Sequence, residues 1–242
     1  MAPTGEAFRA HVQQIFAEEL PSGWKGIGAI EDRTEADAFV WSWRDTMLRR
    51  GLLGLQWPVE YGGQGLTKLE QVILVDRNDT EIGRADKLPA HRLGYLHRAV
   101  SICVIDDQGR MLLQRRAAEK YHSTGLWTNA CCSHPRPGEA TDGAALRRLP
   151  EELGFSCPLV WAAQTHYRAD VGAGLTEDEL VHIFLGLYNG EVNPDPHEVD
   201  GVMWATYDFL KADISSNPQN YTYWFKHYIA TFGRKLFEIP RN

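Results

Sequence analysis

Two adjacent cysteines, Cys131 and Cys132, stand just before His134 in the stretch WTNACCSHPRPGEA over 127–140. A thiol pair beside an imidazole could be a disulfide, a metal clip or a thiol that does chemistry. The other cysteines, Cys103 and Cys157, are too far off in sequence to complete a C-x-x-C pair. A second group of chemistry-bearing residues lies around this stretch. His91 and His97 flank what reads as a short turn, and Glu177 and Glu179 stand two apart in LTEDELVHIF. In a strand that spacing sends both carboxylates to one face. Together with His134, three imidazoles and two carboxylates could form a five- or six-coordinate site for a divalent ion. Taken singly, each is an ordinary surface residue, and Glu-x-Glu alone is a weak signal.

The elements that must position these groups fall into two zones. Residues 5–20 place Phe8, Val12, Ile15, Phe16 and Leu20 at helical spacing up to Pro21. A second helix is expected over 34–50, followed by the glycine-rich, turn-prone GLLGLQWPVEYGGQGL. From residue 70 the period changes. QVILVD (71–76) reads as a buried strand before a turn, RNDTEIG, while AVSICVID (99–106) and RMLLQRR (110–116) read as a hairpin. A helix over 139–153 is closed by Gly154. Strands are expected near 159–168, 179–188 and 200–206, and a last amphipathic helix over 217–232. Strands on both sides of a central helix indicate an α/β or α+β domain.

Composition limits the function. Hydrophobic residues make up 43% of the 242-residue chain and charged residues 24%, ordinary globular values that leave no room for long disorder. The net charge of −7 argues against a nucleic-acid partner. Four cysteines make no disulfide framework, so a reducing, cytoplasmic setting is expected. The N-terminus has no apolar core of a signal peptide, and no run nears the ~20 apolar residues of a membrane-spanning helix.

The helix over 139–154 carries a sharper signal. Glu139, Arg147, Leu149, Glu151, Glu152, Gly154 and Phe155 fit the Nudix pattern G-x5-E-x7-R-E-U-x-E-E-x-G-U, where U is apolar. Ser133 replaces the first glycine, and Arg148 replaces the glutamate after Arg147. Nudix hydrolases hold water-activating metals with this cluster, so the pattern with Arg148 implies that a diphosphate is bound and not cleaved.

With WTNACCSHPRPGE, QRRAAEKYHSTGL, KLPAHRLGYLHRAVS, RRLPEELG and EDELVHIF in order, residues 70–232 resemble the type 1 isopentenyl-diphosphate isomerases, Nudix proteins that have lost hydrolysis. The resemblance implies a Nudix-type mixed sheet sandwiched by helices over 70–242, and interconversion of isopentenyl and dimethylallyl diphosphate through a tertiary carbocation. It implies that Cys132 is catalytic, with Cys131 a buried neighbour. Glu179 matches the acid/base residue opposite the thiol, Tyr167 the tyrosine that bonds this carboxylate, and Trp224 the aromatic near the allylic carbon. The metal ligands match His91, His97, His134, Glu177 and Glu179, for Zn²⁺, Mn²⁺ or Mg²⁺. The diphosphate cations match Lys87, Arg116, Lys120 and Arg148, and Glu152 matches the carboxylate of a second Mg²⁺ carried on the substrate. A small diphosphate is thus the expected partner, with no nucleic acid and no membrane, for a monomer or homodimer. A hydrolase of a small diphosphate and a non-catalytic relic are the alternatives. Pro150 departs from the family pattern and is expected to kink the helix between Arg148 and Glu152.

Residues 1–69 form a second expected domain. MLRRGLLGLQWPVEYGGQGLTKLEQ resembles the N-terminal helical region of acyl-CoA dehydrogenases, whose later flavin-binding parts have no counterpart from residue 70 onward. The segment is therefore expected to hold no FAD, and Trp24, Trp41, Trp43 and Trp57 to supply contact area.

Overall fold

The computed structural model describes residues 5–26, 29–50, 52 and 71–238. It divides into two compact units, Met1–Leu69 and Glu70–Asn242. In the first, α1 (Gly5–Glu19) and α2 (Arg33–Arg49) take up the expected periodic stretches. Phe39 stacks between Trp24 and Trp43, at 4.5 and 6.2 Å, and Phe16 meets Trp43 edge-on at 5.6 Å. Arg50 ties the two helix ends by donating to Glu19 at 2.7 Å and to Glu18 at 3.0 Å. Trp41 stays 63% exposed, outside this cluster. Phe8, the glycine-rich stretch 51–66 apart from Leu52, and Trp57 lie outside the described residues and side chains. No described helix is long and apolar enough to cross a membrane.

The second unit is built on a nine-stranded mixed sheet. Its elements run β1 (Gln71–Val75), β2 (Glu81–Asp86), α3 (Lys87–Leu93), β3 (His97–Ile105), β4 (Met111–Arg116), β5 (Trp127–Asn129), β6 (Cys131–Ser133), α4 (Thr141–Leu153), β7 (Leu159–Gly172), β8 (Leu175–Leu187), β9 (Val199–Ala205), α5 (Tyr207–Ser216) and α6 (Tyr223–Phe232). The hub is β3, parallel to β8 along one edge and antiparallel to β1, β6 and β4 along the other. Its apolar run is buried on both faces, as a central strand requires. Ala99, Cys103 and Ile105 pack toward Leu210 of α5 and toward Trp224, Phe225 and Tyr228 of α6. Val100, Ile102 and Val104 pack toward Ala144, Leu149 and Leu153 of α4. The sheet is thus sandwiched by helices, the fold class expected from the sequence.

Several elements differ from expectation. The turn expected between His91 and His97 is present at Gly94, but His91 itself stands on the helix α3, which is not expected from the sequence. The end of RNDTEIG begins β2. The single helix expected over 217–232 is a 3₁₀ turn at Pro218–Asn220 followed by α6, and α5 before it is not expected from the sequence. Pro218 lacks an N–H and disfavours helical backbone at Asn217, whose φ is −132°. Thr222 then restarts the chain as N-cap, its Oγ1 accepting from Phe225 N–H at 3.4 Å. Helix α4 continues across Pro150 to Leu153. The carbonyl that Pro150 cannot satisfy belongs to Leu146, which is exposed to water. Gly154 ends the helix at φ 75°, and a Cβ there would meet the Asn193 carbonyl oxygen at 2.2 Å.

Candidate active site

Strand register assembles one wall of the site. His97 of β3 pairs with Glu179 of β8, and Glu179 pairs with Tyr167 of β7, so three functional residues form one row across neighbouring strands. Glu177 lies two residues before Glu179 and shares its face. The Tyr167 hydroxyl touches both carboxylates, at 2.7 Å from Glu177 and 2.8 Å from Glu179. One hydroxyl hydrogen cannot serve both, so one carboxyl must donate to Tyr167. Burial and the charge of Glu179 hold Glu177 protonated well above the usual carboxylate range. Burial also opposes charge on Glu179, but the imidazoles of His134 and His97 outweigh it and hold Glu179 ionised. The proton order is therefore Glu177 to Tyr167 to Glu179.

The imidazoles are arranged as ligands. His91 Nδ1 and His97 Nδ1 each lie 2.7 Å from a backbone carbonyl, of Lys87 and Tyr95. A carbonyl only accepts, so each Nδ1 carries a hydrogen that it donates outward, and each ring turns its Nε2 inward. His134 Nε2 lies 3.2 Å from His97 Nε2 and 3.0 Å from Glu179 Oε1. His134 Nδ1 is buried without a partner. Burial lowers the His134 pKa to about 3 and the His91 pKa to about 4, keeping both rings neutral. One ligand atom each from His91, His97, His134 and Glu179 gathers within 4.8 Å. Three ring nitrogens gathered on one ionised carboxylate, with the His134 Nδ1 left without a partner, suit a divalent cation. Glu177 belongs to a second group with His91 and His122. The two groups share His91 and so describe one centre. Sequence reasoning missed His122, which is buried and lies 3.2 Å from Glu177.

Strand β6 brings the thiol to the same cavity. Alternation along β6 turns Cys131 toward α4, fully buried, and Cys132 toward α6. All four cysteines are free. Ser101, paired in register with Cys132, places its Oγ 3.1 Å from Cys132 Sγ. Asn129 Oδ1 accepts from the thiol at 3.3 Å, while its amide nitrogen is anchored on Ser101 Oγ, Ile102 O and Cys131 O. Thr128 Oγ1 donates to Asn129 and accepts from Trp224 Nε1 at 2.7 Å, which locks the indole. Burial pushes the Cys132 thiol up to about 12, against the opposing bonds of Ser101 and Asn129. The thiol therefore keeps its proton. Ser101, Thr128 and Asn129 act through side-chain bonds that only the folded register creates.

Cys132, Glu179, Glu177, Tyr167, His134 and Trp224 line one cavity, together with the cations Lys87, Arg116 and Lys120. Arg116 is 6% exposed, stacks over Trp224 at 5.3 Å, and among the described residues has no carboxylate within ion-pair distance. A buried guanidinium so placed is a ready anion site. Arg148 and Glu152 are not among the lining residues. Arg148 donates to Glu152 at 2.5 Å, and Glu152 also accepts from Gln114 at 3.0 Å. Glu152 belongs to neither group of converging ligands. Glu139 and Arg147 of the Nudix pattern pair at 2.8 and 2.9 Å, bracing the loop before α4 against the helix.

A NUDIX domain model matches residues 95–225. A model of the acyl-CoA dehydrogenase N-terminal domain matches residues 2–117, less than half of the chain, and overlaps the NUDIX match over strands of the mixed sheet. Among curated proteins, the chain is 49% identical over 157 residues to isopentenyl-diphosphate Delta-isomerase 1 of Aromatoleum aromaticum, covering 65% of this chain and 89% of that one. It is 45% identical to the isopentenyl-diphosphate Delta-isomerase of Serratia proteamaculans, covering 70% and 94%. Among solved structures, a Deinococcus radiodurans protein superposes with a TM-score of 0.53 at 19% identity, over 61% of this chain and 90% of that one, a likeness of fold.

Proposed function

Because the chain belongs to the NUDIX family, and within it to the isopentenyl-diphosphate Delta-isomerases, we infer that it interconverts isopentenyl and dimethylallyl diphosphate with Cys132 and Glu179 as its proton-carrying pair. The observation that carries this assignment is their placement: a protonated thiol and an ionised carboxylate reach one cavity from different strands, with Trp224 also in its wall. Shifting the double bond adds a proton at one carbon and removes one from another, with a tertiary carbocation between. Two groups fixed on separate strands of one cavity can do this without diffusing. Since the reaction is reversible, each is the acid in one direction and the base in the other. Tyr167 steadies the charge on Glu179, and Asn129 and Ser101 aim the thiol. The face of Trp224 favours the cation by roughly 2 kcal/mol when water is excluded.

His91, His97, His134, Glu179 and Glu177 would hold a divalent ion, Zn²⁺, Mn²⁺ or Mg²⁺. When bound, such an ion neutralises the buried carboxylates and lowers the proton affinity of Glu179. Lys87, Arg116, Lys120 and Arg148 receive the diphosphate, and Glu152 takes the Mg²⁺ that accompanies it. Arg148 replaces a metal-binding glutamate of the hydrolase pattern, which favours retention of the diphosphate over its cleavage. The Met1–Leu69 unit is read as a helical fragment of acyl-CoA dehydrogenase type that binds no FAD. Incubation with isopentenyl diphosphate tests the reaction: dimethylallyl diphosphate should appear, whereas inorganic phosphate in its place would identify a hydrolase.

A further inference from the structure

Glu198, the residue before β9, reaches two cations at once. One carboxylate oxygen pairs with Lys120 Nζ, and the other accepts from Arg148 Nη2 at 3.1 Å. The backbone fixes it there. Ala117 N–H donates to the Glu198 carbonyl at 3.1 Å, Glu198 N–H to the Asp195 carbonyl at 3.0 Å, and Asp195 N–H to the Glu152 carbonyl at 3.0 Å. The segment before β9 thereby joins the end of β4 to the last turn of α4. Lys120 is a wall residue of the cavity. Arg148 already carries three carboxylates: Glu151 at 2.8 Å, Glu152 at 2.5 Å and Glu198 at 3.1 Å. Nη2 gives both of its hydrogens to carboxylates, Glu152 and Glu198, so a phosphate oxygen can take the Nη2 hydrogen shared with the Lys120 partner only where Glu198 leaves. Of the three, Glu198 is the one that Lys120 shares.

We propose that Glu198 is an internal competitor of the diphosphate: its carboxylate bridges Lys120 and Arg148 in the empty enzyme, is displaced when a diphosphate binds, and so sets the affinity of the site. This rests on the reading that these cations receive the substrate diphosphate. The exchange has a physical advantage. Two cations in a half-buried site repel when bare, and a tethered carboxylate keeps them paired in the absence of substrate. The same carboxylate returns as product leaves. Tethering favours its rebinding, so it weakens diphosphate binding and speeds release.

The test is the inhibition constant of inorganic diphosphate, measured against isomerisation at fixed free Mg²⁺. Glu198→Gln keeps the side-chain size and removes the charge. The constant should fall about tenfold, and the gain should shrink to less than about threefold in a Lys120→Ala background, because the two residues share one interaction. A merely structural role for Glu198 would not tighten binding. Glu198→Asp, one methylene shorter, cannot span both cations and should tighten binding by less, with the same sign. It carries the test should a thermal melt show that Glu198→Gln does not fold. An unchanged or raised constant in the folded variants overturns the proposal. Absence of isomer from the wild-type protein would instead overturn the assigned reaction, so the two failures are distinct.

Discussion

Two substitutions one residue apart should separate structure from chemistry. Cys131 is fully buried in the layer between the sheet and α4, among Ala144, Ala145 and Leu149. Replacing it with alanine removes one sulfur from a close-packed layer. The lost transfer energy is near that of a methylene, about 0.8 kcal/mol, and the cavity left behind raises the total to about 1–2 kcal/mol. For a unit of this size each kcal/mol lowers Tm by about 2–4 °C, so Tm should fall by about 2–8 °C. Turnover should stay within a few-fold, since the side chain points away from the cavity. Cys132→Ala removes a proton carrier and should lower kcat by about 10²- to 10⁴-fold, as should Glu179→Gln. Cys132→Ser retains partners for Ser101 and Asn129, lying 3.1 and 3.3 Å from Sγ, and should melt close to wild type while remaining as slow as the alanine variant. Scanning calorimetry and proton NMR of the conversion of isopentenyl diphosphate give the two readouts. A dead Cys131→Ala with unchanged Tm, or an active Cys132→Ala, would refute the assignment of faces along β6.

Chelation should abolish turnover, with Mg²⁺ restoring at least part of it; full activity in metal-free buffer would sink the site model. Acid should destabilise the metal-free protein. His91 and His134 have folded-state pKa values of about 4 and about 3, below their unfolded value. The unfolded chain therefore binds more protons as pH falls below about 6.5, and each ring removes up to about 1.4 kcal/mol per pH unit down to its folded value. Glu179, held ionised, acts with the same sign, whereas Glu177, which keeps its proton when folded, offsets part of the loss. A Tm that stays flat from pH 7 to 4 in chelator would contradict the buried neutral imidazoles. Deleting residues 1–69 should leave measurable isomerase activity with lower solubility, and the full-length protein should be colourless; a stoichiometric flavin band near roughly 450 nm would overturn the reading of that segment.

The sequence was most legible where a residue's spacing already states its geometry. Glu177 and Glu179 share a face because strand residues alternate, and the same rule sends Cys131 and Cys132 apart. Gly154 stops α4 because the next turn needs a left-handed residue beside the Asn193 carbonyl. Less legible were α3 and α5, short helices of seven and ten residues whose stability comes from packing more than from their own propensity. His122, Asn129 and Glu198 escaped for another reason. Their partners are 55, 3 and 78 residues away in the chain, taking Glu177, Cys132 and Lys120, and only the folded register or loop path selects those partners.

Arg148 shows how a single position redirects an inherited helix. In the hydrolase pattern the face of this helix gathers carboxylates for metals that activate water. Here Glu151, Glu152 and Glu198 surround a guanidinium. Their negative charge is therefore largely neutralised from within, and the pull on a second group of cations is correspondingly weaker. Groups able to hold a metal converge instead on the other face of the sheet, where His91, His97 and His134 meet Glu179 in the cavity that the thiol also lines. An ion held there lies next to the group that moves protons. The pairing of Arg148 with three carboxylates and the imidazole cluster on the Cys132 face thus complement each other. On the proposed assignment, the first would disfavour attack of water on the diphosphate, and the second would support proton transfer at carbon.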